Sequence, residues 1–359
     1  MWRSQSPALQ RSTTFLQSSE QQSGDVLIES EQSRQQRWTG IAVLLTVPLT
    51  WGTYNPVVKY LYTLRPPVPG LVFSAAYYVL AAVTLWAILA MMSTSSGEED
   101  VAGNSASVWG GIELGSYLFL GNLVQVLALK SVPADRAGFL VQLTTILVPF
   151  LEAGLTGRSI PGRTWLACWI ALAGVVAMQV ENLSTTSLVG LNTGDAMILL
   201  AATFYSLHVV RLGKFAAQTT PLRLAASKAT VEAILSLGLI GVLLGVASTG
   251  FGPAVEVQSF LATVRAEGGL QSDSWAQAVA AILWTGWATC AYTIYAQSYG
   301  QRRVKPTDAN LIYTVQPIFT ALFAFALLGE TIGLSEIVGG ALITSSVYVV
   351  ASDSDDDNS

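Results

Sequence analysis

The side chains in this sequence that could do chemistry are few, and they sit where charge is costly. Glu152 ends the run Thr144-Thr-Ile-Leu-Val-Pro-Phe-Leu-Glu152, and an ionisable residue inside a long apolar stretch suggests a role because hydrocarbon penalises it. A buried carboxylate whose neutral form is favoured can bind and release a proton. The alternative is an interfacial carboxylate, since Arg158 and Arg163 follow closely enough to pair with it. Glu113 lies similarly near the end of an earlier stretch and reads as interfacial. His208 is the single histidine, so no histidine-based metal cluster can be assembled and no metal site is assigned. A lone imidazole is either hydrogen-bonded core or a gate that titrates near neutral pH.

Uncharged polar residues recur at helical spacing. Gly138, Gln142, Thr145, Pro149 and Glu152 share one face, and Asn310, Thr314, Pro317 and Ala321 share another. Gly115, Asn122 and Gln125 form a third stripe, and Thr285, Thr289 and Tyr292 a fourth. Such stripes avoid lipid, so they meet one another or a water-filled cavity. Trp51, Tyr54, Tyr205 and Tyr313 either stack on a ligand or pack between helices. Lys59, Arg136, Arg211 and Lys228 read as interfacial anchors, with Lys228 and Glu232 able to pair one turn apart. Arg302, Arg303 and Lys305 suit orientation, or phosphate recognition if the ligand is anionic.

Composition says what must hold these residues. Hydrophobic residues are 52% and charged residues 11%, far below the roughly 25% charge of a soluble domain. The net charge of -5 owes much to Asp353, Asp355, Asp356 and Asp357, and no basic patch points to nucleic acid. Cys168 and Cys290 both lie in apolar stretches, which argues against a disulfide framework. Ten stretches are long and apolar enough to span a bilayer, at about 40–61, 68–92, 108–129, 134–155, 161–180, 194–213, 225–247, 275–298, 307–328 and 333–351. Without water to satisfy their backbone, such runs must be helices, so an all-α polytopic membrane protein is expected.

The chain also looks duplicated. Residues 140–157 resemble residues 312–329, with Gly157 and Gly329 separated by 172 positions, and the same offset superimposes Ala137 on Ala309 and Leu155 on Leu327. The domains expected are a polar tail over 1–38, repeats over 40–180 and 194–351, and an acidic tail over 352–359. Arg34, Arg37, Arg158, Arg163, Arg211, Lys214, Arg223, Lys228, Arg302, Arg303 and Lys305 would share one side, against Lys59, Arg65, Lys130, Arg136 and Arg265 on the other. That asymmetry puts both termini inside. Five spans per half then invert the second copy relative to the first. Gly111 with Gly115, Ala167 with Ala171 and Gly241 with Gly245 have the spacing of close helix contacts. The loop 248–274 reads as a solvated linker with an amphipathic piece, Val255 to Val264.

In Trp51-Gly-Thr-Tyr-Asn-Pro-Val-Val-Lys59, Pro56 cannot donate to the carbonyl of Gly52, so a kink is expected beside Thr53, Tyr54 and Asn55. Tryptophan and glycine followed by this proline and lysine resemble the first helix of the EamA family, within the drug/metabolite transporter superfamily. The resemblance continues through Gly115 to Lys130, Ala134-Asp-Arg-Ala-Gly-Phe-Leu140, Gly194-Asp-Ala196 and Gln316 to Glu330. It implies two inverted five-helix repeats, alternating access, and a small-metabolite substrate in a central cavity lined by spans 1, 3, 4, 6, 8 and 9. The cavity candidates are thus Trp51, Tyr54, Asn55, Asn122, Gln125, Gln142, Thr145, Tyr205, His208, Tyr292, Asn310 and Tyr313, with Glu152 as the candidate proton carrier. Tyr205 replaces the tryptophan of the family's sixth-helix motif, and His208 is uncommon there. The third and fourth spans look most like members from plants, algae and photosynthetic bacteria. With the Ser, Gln and Arg-rich tail, this leaves a plastid envelope open beside a plasma membrane or endomembrane.

No phosphate-cradling lysine loop, His-Glu-x-x-His pair or Gly-x-Ser-x-Gly elbow supports catalysis, and no cofactor is called for. The partners expected are a lipid bilayer and a small metabolite, with a proton or counter-substrate as coupling species and a homodimer left open. A facilitative pore and a transport-inactive scaffold or regulator are the competing classes. Cysteine-accessibility labelling should place Ser19, Ser95 and Asp355 on one side of the membrane and Ser184 and Ser272 on the other. Termini labelled from opposite sides would mean that a span has been miscounted.

Overall fold

The computed structural model describes residues 32, 34–54, 57, 60–61, 64–65, 67–93, 101–128, 131–132, 134–157, 159–179, 192–266, 272–328 and 332–351. Among them all regular structure is helical. Helix α1 covers residues 34–51. It is followed by α2 (Gly70–Ser93), α3 (Val101–Ala128), α4 (Ala134–Val141), α5 (Thr144–Thr156), α6 (Gly162–Gln179), α7 (Thr193–Ala216) and α8 (Pro221–Val246). Then come α9 (Gly252–Ala266), α10 (Ser272–Trp284), a π-helical segment Thr285–Tyr292, α11 (Thr293–Gln301), α12 (Pro306–Tyr313), α13 (Gln316–Leu328) and α14 (Leu334–Ala351).

Helical segments occupy each of the ten apolar stretches, and six among the described residues are long and apolar enough to cross a bilayer on their own. Outward faces carry Trp86, Ile234, Leu237, Val242 and Phe325, a surface suited to lipid and unsuited to water. Indole N–H groups on these faces are satisfied between helices, Trp86 donating to Thr230 at 2.8 Å and Trp287 to Thr84 at 3.0 Å.

Local chemistry sets the helix ends. Asn192 and Asp195 cap the start of α7 reciprocally, each side chain accepting the other's backbone N–H at 2.9 Å, which satisfies donors that a helix start leaves open. Thr220 caps α8 and Pro221 follows it, where a missing N–H costs nothing. Gly157 ends α5 at φ 68, a left-handed conformation that glycine takes without a steric penalty.

Two stretches are not continuous helices. Between α4 and α5 the chain tightens at Gln142–Leu143, with Thr145 N–H donating to the Gln142 carbonyl at 3.0 Å. Between α12 and α13 it tightens at Thr314–Val315, where Val315 N–H donates to Ile312. Pro317 supplies no donor for the Tyr313 carbonyl and its ring crowds that position, which forces the second break. The two breaks are 172 residues apart, the offset at which the sequence repeats. In α1 a turn falls at Gly52–Thr53; Asn55 and Pro56 lie outside the described residues. The helix that carries Tyr205 and His208, α7, runs unbroken from Thr193 to Ala216.

Small residues decide which helices touch. A β-carbon on Gly111 would strike Ser227, and one on Gly115 would lie 2.8 Å from the Lys228 carbonyl, so this pair presses α3 onto α8. On α6, Ala167 and Ala171 are fully buried, and a β-carbon on Gly174 would meet the Gly339 carbonyl of α14 at 2.7 Å. Gly241 and Gly245 differ from expectation, since nothing lies within 4 Å of a β-carbon at either. Both lie on the exposed face of α8. The expected linker 248–274 contains α9, whose Ala254 and Val257 are buried against Leu243 and Ala247. Its amphipathic pattern is read by α8.

Gly174→Ala should therefore destabilise by about 1–3 kcal/mol, an overpacking cost, while Gly241→Ala and Gly245→Ala stay within about 0.5 kcal/mol of the parent. Thermal unfolding in detergent checks the contrast, and equal effects at the three positions would contradict the packing described.

Candidate functional site

Residues of α1, α2, α3, the α4–α5 break, α7, α8, the π segment with α11, and the α12–α13 break line a cavity of about 260 Å³. Of the cavity candidates named from the sequence, Trp51, Tyr54, Asn122, Gln125, Gln142, Tyr205, His208, Asn310 and Tyr313 line it, as do Thr285 and Thr289 of the fourth polar stripe. Asn55 lies outside the described residues.

Thr145 and Tyr292 do not line it, and in each case backbone geometry is the reason. The break at Gln142–Leu143 interrupts the continuous face assumed for the fourth span. Gln142 and Thr144 consequently face the cavity while Thr145 is buried with its Oγ1 unpaired. In the π segment the hydrogen-bond turn is wider by one residue. Thr285, Thr289 and Thr293 line the cavity in place of Thr285, Thr289 and Tyr292. Tyr292 is 40% exposed and shares a 2.6 Å hydrogen bond with Thr46.

The walls are held by specific contacts. The absence of a side chain at Gly121 lets the Tyr205 ring lie on the backbone of α3. Its hydroxyl thereby donates to Gln125 Oε1 at 2.7 Å. Asn122 Nδ2 donates to Ser74 Oγ at 3.2 Å. Trp51 and Tyr313 rings sit 5.5 Å apart, joining α1 to α12. These pairs hold side chains that would otherwise lose rotamer freedom when a ligand bound.

Lys228 corrects the sequence reading. It was expected at the membrane interface, but it is fully buried, with Nζ 3.4 Å from His208 Nε2. Glu232, one turn along α8, is 1% exposed and lines the cavity. The helix starts at Pro221 and the glycine stripe of α3 covers this turn, so both charges are carried inward. Tyr77 and Tyr78, whose rings lie 4.4 Å apart, also line the cavity. They escaped sequence reasoning because α2 has no polar stripe, whereas Glu232 had a usable signal, an acid well inside an apolar span.

Glu152 is not among the cavity-lining residues. Its Oε2 accepts the backbone N–H of Thr307 at 2.9 Å and the Thr307 hydroxyl. A carboxylate against the first turn of α12 complements the orphan N–H groups and positive end of that helix. Glu113 pairs with Arg211, whose Nη2 donates to Oε2 at 2.9 Å and whose Nε contacts Oε1. Arg211 thus joins α7 to α3. The side chains of Lys59 and Arg136 lie outside the described residues.

The profile of the EamA-like transporter family matches this chain twice, over residues 38–179 and 192–352. An uncharacterized transporter of Archaeoglobus fulgidus is 21% identical over 308 residues, covering 86% of this chain and 84% of that protein. A solved crystal structure aligns with 90% of this chain and 100% of its own, at 17% identity and a TM-score of 0.65. That likeness is one of fold.

The Glu152 contact is testable by a double-mutant cycle. Glu152→Gln and Thr307→Val should each cost about 1–3 kcal/mol of stability, and the pair should cost clearly less than the sum. Additivity within about 0.5 kcal/mol, measured by unfolding in detergent, would show that the cap is not held.

Proposed function

Because the chain belongs to the EamA-like transporter family, we propose that it is a secondary carrier of a small metabolite, working by alternating access around the central cavity. Ten membrane helices form two inverted five-helix repeats on this reading. The observation that carries it is the cavity: helices from both matched segments supply its wall with amide, hydroxyl and aromatic side chains. Breaks 172 residues apart border that cavity, which supports a site assembled from equivalent parts of two halves. Irregular backbone at membrane depth is tolerated where it lines a cavity. Transport is coupled to a proton or to a counter-substrate, and the sequence likeness to members from photosynthetic organisms supports a plastid envelope as the location.

Reconstituted into proteoliposomes and offered a metabolite mixture, the protein should show saturable uptake and counterflow. Gln142→Leu, which removes a polar group from the cavity wall, should lower the transport rate at limiting substrate about tenfold. Flux that rises linearly with concentration would point to a pore. Folded protein that moves nothing while retaining a partner would point to a scaffold.

A further inference from the structure

Four polar atoms buried in the residues that line the cavity have no hydrogen-bond partner: Glu232 Oε2, Asn310 Nδ2, Thr285 Oγ1 and the Tyr313 hydroxyl. Each such atom bears its desolvation cost without the hydrogen bond that would offset it. Grouped on one cavity, they outline the complement of a ligand. Glu232 demands an N–H or O–H donor, Asn310 Nδ2 demands an acceptor, and the Thr285 and Tyr313 hydroxyls can serve either end.

Charge selects among the candidates. The cavity wall contains a carboxylate and, among its described residues, no lysine or arginine. Lys228 has the opposite charge and sits one turn earlier on α8, but it sets its Nζ against His208 Nε2 and leaves Glu232 Oε2 unpaired. An anion entering the cavity would meet Glu232 without a cation on the wall. A cation would meet the carboxylate and the rings of Trp51, Tyr54, Tyr77, Tyr78 and Tyr205, whose faces attract positive charge. A carboxylate out of water is stable when its partner is also held there with good geometry.

We propose that the cavity binds a small organic ammonium compound. Its N–H groups donate to Glu232 between the aromatic side chains, and a hydrogen-bond acceptor at its other end receives Asn310 Nδ2. This names the substrate class for the carrier proposed above, although binding itself does not depend on transport.

The test uses the full chain in detergent and four probes of matched size: butylamine, 1-butanol, butyrate and 4-amino-1-butanol. Ligand-induced shifts in melting temperature and titration calorimetry give the affinities. Butylamine should bind more tightly than 1-butanol or butyrate, and 4-amino-1-butanol more tightly still. Glu232→Gln should weaken both amines about tenfold or more. Asn310→Leu should remove only the advantage of the amino alcohol. The melting temperature of each unliganded variant reports folding. If Glu232→Gln does not fold, Glu232→Asp keeps the charge at shorter reach and should retain amine selectivity at reduced affinity. Preference for butyrate, or unchanged amine affinity in folded Glu232→Gln, overturns the assignment. Saturable transport of an amine-free compound, unaffected at position 232, sinks this inference and leaves the carrier standing. Amine binding without any flux does the reverse.

Discussion

The architecture depends on one constraint: a peptide group in hydrocarbon must find its hydrogen bond within the protein. Continuous helices meet it for most of the chain. Where the helix is interrupted, at Gln142–Leu143, at Thr314–Val315 and through the π segment Thr285–Tyr292, the irregular backbone borders the same cavity. Short-range bonds and hydroxyls take over there, as when Thr314 Oγ1 bonds the Leu311 carbonyl and Thr289 Oγ1 the Thr285 carbonyl. The same departures turn Gln142 and Thr144 inward at the first break and Thr293 inward after the π segment. Backbone satisfaction and a polar cavity are therefore two results of one local geometry.

Helix contact adds the charges. Gly111 and Gly115 bring α3 against the backbone of α8 around Ser227 and Lys228, which covers one side of that turn. Lys228 and Glu232 are both buried. Opposite signs one turn apart limit the cost of removing both from water, and His208 receives the ammonium from α7. The pairing of Arg211 with Glu113 ties α3 to α7, with both side chains only partly buried.

The comparison with known proteins and the structure meet at the level of a membrane transporter. The family profile covers both segments, and the helices carry lipid-suited outer faces around a polar interior. Glu152, the acid most conspicuous in sequence, binds the first turn of α12. Glu232, which lies in a less conspicuous setting, contributes to the cavity wall. Spacing put Glu152 on a polar stripe and Glu232 one turn from Lys228, and it could not say which neighbours either carboxylate would meet.

Composition and run length alone determined that the chain is helical and membrane-embedded, because hydrocarbon leaves a backbone no other solution. The 172-residue offset was legible too, since the duplicated segments keep small and apolar residues in register, as at Ala137 and Ala309, Leu155 and Leu327, and Gly157 and Gly329. Cavity-facing side chains could be named from stripes, aromatic positions and family likeness. Thr145 and Tyr292 could not be placed, because a one-residue change of helical register is invisible to spacing rules that assume a regular helix. Nor could the chain announce that α3 would bury Lys228 and Glu232, that Gly241 and Gly245 would face outward, or that α9 would dock on α8. Those outcomes depend on which helix lies across which, a choice made by close packing between residues far apart in sequence.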